Sequence, residues 1–172
     1  KNLLLTKIDL PPLPEQKRIA EILTTLDKLL VLLIQKRDKL LVLRKGLFNE
    51  LIIKNRKAIF RKISDICSST SGGTPNRSNL NYYEGKIPWV KSGEVKGMDI
   101  FQTEEQITNE AIKDSSAKII RSGSVLIAMY GATAGQSALL KVNAATNQAV
   151  LALSVNSNQL NNTYLYHALS AS

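Results

Sequence analysis

Between Ser69 and Tyr83 the chain carries Thr70, Ser71, Thr74, Asn76, Arg77, Ser78, Asn79 and Asn81 beside Tyr82 and Tyr83, with Gly72 and Gly73 leading in. Hydroxyls, carboxamides and one guanidinium in a short run make hydrogen bonds; they are not a nucleophile with its base. The chemistry they suit is recognition. Carboxamides match adenine N6 and N7, an arginine matches guanine or a phosphate, and paired glycines let the backbone turn and approach closely. Thr74, Asn76, Arg77, Ser78 and Tyr82 are the candidates from this loop, Arg77 foremost. Lys91, Ser92 and Lys96 follow as possible phosphate contacts. Tyr130, Thr133 and Gln136 in "YGATAGQ", and Asn147 and Gln148 in "TNQA", complete the set. Each has a plainer reading. The first loop closes a domain edge, "YGATAGQ" joins two strands, and Asn147 and Gln148 tie down loop backbone.

Catalysis finds no comparable support. The chain has no G-x-S-x-G, H-E-x-x-H or Cys-x-x-Cys, and no N-P-P-Y-like string of a methyltransferase. "YGATAGQ" lacks the Lys-Ser/Thr end of a P-loop. Glu104 and Glu105 adjoin, but neighbours on a strand point to opposite faces. One cysteine and one histidine make neither an internal disulfide nor a Cys/His metal site. Cys67 reads as a buried small hydrophobe in a reducing, cytoplasmic compartment, His167 as a packing or surface residue, and Trp89, between Ile87 and Val90, as core. The expectation is a non-catalytic chain without cofactor or metal.

What must position these groups divides into three pieces: 1–14, 15–54 and 55–172. From Glu15 to about Lys54 there is no proline, and Gly46 is the only glycine. Ile19, Leu26, Leu33, Leu40 and Leu47 recur every seven residues, and Ile22, Leu29 and Leu43 fill the alternate positions of a coiled-coil seam. Such a helix is roughly 60 Å long. Pro11, Pro12 and Pro14 delay its start, Glu15 favours its positive end, and Gly46 suggests a bend or close packing. The run "LLVLLI" is too short to span a bilayer. From Ile63 the period changes. The runs "KIPWV", "GMDIF", "AKII", "SVLIAMYG", "GQSALLKV" and "QAVLALSV" read as strands, "NEAIKDSS" as a turn or two of helix, and "LNNTYLYHALSAS" as a helix with Leu160, Tyr164, Leu165 and Ala168 on one face. The fold class expected is α+β, a long coiled-coil helix joined to a mixed, β-rich domain.

The net charge of +9 is unevenly placed. Residues 34–62 hold Lys36, Arg37, Lys39, Arg44, Lys45, Lys54, Arg56, Lys57, Arg61 and Lys62 against only Asp38 and Glu50. This local excess is either a field for polyphosphate or a solvated helix face.

The string "LPPLPEQKRIAEIL" before a leucine-rich helix resembles the conserved spacer of the specificity (S) subunit of type I restriction-modification systems. "SGGTPNRSNLNYYEGKIPWVKSGEV" resembles the opening of that family's target recognition domain, and "ITNEAIKDSSAKIIRSGSVLIAMYGATAGQSALL" with "NQAVLAL" its middle. The resemblance implies a subunit in which two target recognition domains each read half of a split DNA sequence. Two long antiparallel helices set the gap between them, and the subunit recruits methyltransferase (M) and restriction (R) subunits without catalysing anything itself.

Set against that pattern, residues 1–14 look like the close of a recognition domain and 55–172 like one lacking its C-terminal end, about half an S subunit. Partial pieces at opposite ends of so long a helix complete each other between chains, so an antiparallel two-fold homodimer is expected, or pairing with the other half of S. Lys36, a polar break in the seam, would fix register. Apolar positions off the seam, such as Val31, Leu32, Leu41 and Val42, would remain for another partner. Two other readings stay open: a coiled-coil assembly protein that reads no sequence, and the recognition part of a fused restriction-methylation enzyme.

Overall fold

A computed structural model of the chain describes residues 7–54, 59–156 and 160–171. Two compact units emerge, Lys1–Leu47 and Phe48–Ser172. The expected closing segment lies outside the described residues up to position 6, and 7–12 carry neither helix nor strand. The expected linker lies outside them at 55–58.

Helix α1 is Leu13–Lys54, 42 residues without interruption. It starts two residues before the expected Glu15. The Pro12 carbonyl accepts from the backbone N–H of Glu15 (2.9 Å) and Gln16 (3.1 Å), and Pro14 has no N–H to leave unpaired in the first turn. The eight seam residues Ile19 to Leu47 are 43–57% exposed. Leu30, Leu32 and Val42, off that seam, are exposed as well. A Cβ at Gly46 would meet nothing within 4 Å among the described residues.

The second unit is built on two sheets. β1 (Cys67–Ser71), β8 (Val150–Val155), β5 (Val125–Ala128) and β6 (Ser137–Leu139) form one, antiparallel throughout. β3 (Glu105–Ile107), β2 (Ile87–Val90), β7 (Ala144–Thr146) and β4 (Ile119–Ile120) form the other, with β2 and β7 parallel. Strand alternation sorts their side chains into three cores. Leu126, Ala128, Val150 and Ala152 of the first sheet pack with Val90, Ile120 and Ala144 of the second. Val125, Leu139 and Leu153 face the other way, with Leu165 and Tyr166 of helix α4 (Asn162–Ala171). Trp89, Ile107 and Ala145 lie with Ala111 of helix α3 (Asn109–Lys113). Helices α3 and α4 begin on side-chain caps: Thr108 Oγ1 accepts from Ala111 N, and Asn161 Oδ1 from Tyr164 N.

Several expectations change. Where the period changes, Ile63 and Ile66 lie in a helical turn, α2 (Ile63–Ile66); their spacing of three suits a helix. "GMDIF" makes a single bridge, Ile100 to Leu140, and its first residue, Gly97, sits at φ +77°, outside extended backbone. On α4 the buried residues are Leu165, Tyr166 and Ala171, while Tyr164 is exposed. β1, β3 and β7 are strands beyond those expected. Trp89 and Cys67 are buried, as their contexts suggest.

Candidate nucleic-acid interface

The Gly72–Asn79 loop is fastened to the second sheet at several points. Gly73 N–H donates to the Thr146 carbonyl (2.9 Å), and the Trp89 indole N–H donates to the Gly73 carbonyl (3.1 Å). Tyr83 Oη donates to the Pro75 carbonyl (2.6 Å), and Thr74 Oγ1 to Gln148 Oε1 (2.5 Å). Gly72 sits so tightly that a Cβ there would lie 1.8 Å from the Thr146 carbonyl oxygen. Asn76 Oδ1 accepts from Ser78 N (3.0 Å), an Asx turn that shapes the loop apex. The loop is therefore presented in one conformation, with Thr74, Asn76 and Ser78 exposed.

Arg77 is the most engaged residue of the set. Its guanidinium carbon lies 4.4 Å from the Tyr83 ring centroid and 4.9 Å from that of Trp89. Nη1 bonds Glu105 Oε2 at 2.5 Å, and Nη2 approaches Oε1 at 3.4 Å. Lys91 Nζ reaches Glu105 Oε1 at 2.8 Å and Glu104 Oε2 at 2.9 Å. The Arg77 and Lys91 bonds hold the Glu105 carboxyl below the usual carboxylate range, and the bond to Glu105 raises both cations further above neutrality. Glu104 and Glu105 do not diverge as adjacent strand residues would. Glu104 precedes β3, so both carboxylates converge on one ammonium.

The "YGATAGQ" segment is the β5–β6 hairpin connection. Gly131 (φ +91°) and Gly135 (φ +81°) occupy the left-handed region that its turns require. It leads into a strand, so no helix N-terminus stands behind it as in a phosphate loop. Tyr130 is exposed, and Thr133 Oγ1 donates to the Ser92 carbonyl (2.7 Å), tying the hairpin to the turn after β2. Gln136 is exposed on the same hairpin.

The fold thus gathers most of the predicted residues into one rim. Thr74 meets Gln148, Arg77 and Lys91 share Glu105, and Ser92, next to Lys91, meets Thr133. Asn147 is half-buried and turns its Oδ1 to Ala149 N (3.2 Å). Tyr82 stands apart, its hydroxyl donating to Asp114 Oδ2 (2.8 Å), which raises the phenol's pKa. Lys96 is exposed in a shallow groove with Met98 and Phe101. Glu105 is the rim residue that sequence reasoning misses. Its tie to Arg77 spans 28 residues and carries no local signal. Among the described residues no group of three or more His, Cys, Asp or Glu could hold a metal, and no helix is long and apolar enough to cross a membrane.

Residues 1–42 and 55–172 match the family model for the type I restriction modification DNA specificity domain. The chain is 30% identical over 178 residues to the specificity subunit of the Escherichia coli type I restriction enzyme EcoR124I/EcoR124II, covering 96% of this chain and 44% of that protein. It is 32% identical over 91 residues to the MjaIX specificity subunit of Methanocaldococcus jannaschii, covering 51% of this chain and 21% of that protein. Among solved structures, the HsdS subunit of Thermoanaerobacter tengcongensis aligns with a TM-score of 0.55 at 18% identity, over 94% of this chain and 42% of that one. The type I S subunit of M. genitalium aligns at 0.57 and 17%, over 93% and 42%. At these identities the structural likeness speaks to the fold alone. The chain spans less than half the length of these relatives.

Proposed function

Because the chain belongs to the type I restriction modification DNA specificity family, we propose that it is a cytoplasmic specificity subunit, or half of one, that reads one half of a bipartite duplex sequence. The second unit is the target recognition domain. The rim formed by the Gly72–Asn79 loop, the turn at Lys91–Ser92 and the β5–β6 hairpin faces the DNA. Base edges are met by neutral hydroxyl and carboxamide groups such as those of Asn76, Ser78, Gln136 and Gln148. Lys96 and Tyr130, both exposed, contact the DNA backbone. The chain itself performs no chemistry and uses no cofactor; methylation and cleavage belong to M and R subunits that it recruits.

In this reading α1 is the ruler. Its seam pairs antiparallel with a second long helix, from another copy or from the other half of an S subunit. The observation that carries the proposal is the match of residues 1–42, which include most of the helix, and of residues 55–172 to the specificity-domain model. Support comes from the seam, whose residues are about half exposed among the described residues.

The test is selection of bound duplexes from a randomised pool by the chain reconstituted with methyltransferase subunits. Enrichment of a split motif is expected. Retention of duplexes without any enriched motif would overturn the reading and favour an assembly role.

A further inference from the structure

We infer that Glu105 sets specificity at this rim by holding two cations away from the DNA backbone. The inference rests on the DNA reading proposed above. One Glu105 carboxylate meets both Arg77 and Lys91, and Glu104 supplies a second oxygen to Lys91. Arg77 is fixed in a further way, its face over the Tyr83 and Trp89 rings. A guanidinium with its edge on a carboxylate and its face on aromatic rings has spent the geometry that would clamp a phosphate. The two cations and two carboxylates form a locally neutral cluster.

Arg77 at the loop apex is exposed but tied to Glu105, and the groups beside it that have no ion partner are neutral: the Asn76 amide and the Ser78 hydroxyl. Neutral groups read base edges but gain nothing from the counterion release that drives sequence-independent binding. Specificity is a difference between affinities, so suppressing the sequence-independent part raises it. Glu105 is a positioning residue. It acts through Arg77, which ties the loop to β3 and to Trp89 of β2, and through Lys91, which ties the end of β2 to β3, instead of either gripping DNA.

The full chain, reconstituted with methyltransferase subunits, is titrated with a mixed-sequence duplex and with its selected site across a salt series. Glu105→Gln takes the shared carboxylate from both cations, leaving Arg77 without an ion partner and Lys91 with Glu104 alone. Mixed-sequence binding tightens several-fold, the slope of log affinity against log salt steepens by about one to two, and the preference for the selected site narrows. Glu110→Gln on α3 makes the same charge change and leaves slope and preference as they were. With Glu105 intact, Arg77→Gln and Lys91→Gln each leave the mixed-sequence slope unchanged. A folded Glu105→Gln variant with an unaltered or shallower slope overturns the inference. So does loss of about one unit of slope in either cation variant, which marks a direct phosphate contact. The cation variants decide between the two outcomes even where Glu105→Gln does not fold. Absence of duplex binding by the unsubstituted chain at any salt overturns the DNA reading itself, and this inference with it.

Discussion

At the scale of residues, the rim is held by close approach and by charge, and each makes a prediction. Gly72 has no room for a side chain, since a Cβ would strike the Thr146 backbone and its Oγ1. Gly72→Ala is expected to lower unfolding free energy toward the upper end of about 1–3 kcal/mol or beyond. Denaturant melts check this, and a near-neutral change would show the loop to be softer than described. Glu105 makes stability depend on pH. Its folded pKa is depressed, so its contribution is fully present above the unfolded value of about 4.3 and is lost as pH falls through the folded value. The gap in melting temperature between the unsubstituted chain and Glu105→Gln should therefore be widest near neutrality and close below about pH 4. A gap that stays constant on acidification would mean that the ion cluster adds nothing to stability. The polar composition of the loop is legible as recognition chemistry. The engagement of Arg77 is not, because its partners Glu105 and Trp89 come from separate strands.

At the scale of elements, α1 and the strands are legible for different reasons. The seven-residue period of α1 is a local repeat, and it returns the helix to within two residues at its start. β5 and β8 are legible because both faces are apolar, serving two cores at once. β1, "CSSTS", has the composition of a loop. It is an edge strand held by backbone pairing with β8, with only Cys67 committed to a core, so apolar pattern cannot reveal it. β3 and β7, three residues each, are too short to show a period. The seam gives this scale its prediction. Burying one leucine contributes about 1.5–3 kcal/mol. Leu33→Asp should therefore weaken self-association, or association with a second S half, by at least about tenfold, with helicity retained. Sedimentation equilibrium measures this, and unchanged association would remove the seam from the interface.

At the scale of the molecule, the account joins a reader to a ruler. The second unit supplies a rim of fixed hydrogen-bonding groups, and α1 supplies a helix about 60 Å long whose apolar stripe calls for a partner. Neither part explains a split recognition sequence alone. Rigid pairing of two such helices would set the distance between two readers, and DNA transmits that distance as an integral number of base pairs. Each added pair shifts the second half-site by about 3.4 Å and rotates it about the duplex axis. The most direct measurement is the affinity of the complex, reconstituted with methyltransferase subunits, for its selected site and for variants with the spacer lengthened or shortened by one base pair. The account predicts that either variant falls to the affinity of mixed-sequence duplex. Equal affinity for all three spacers would contradict it.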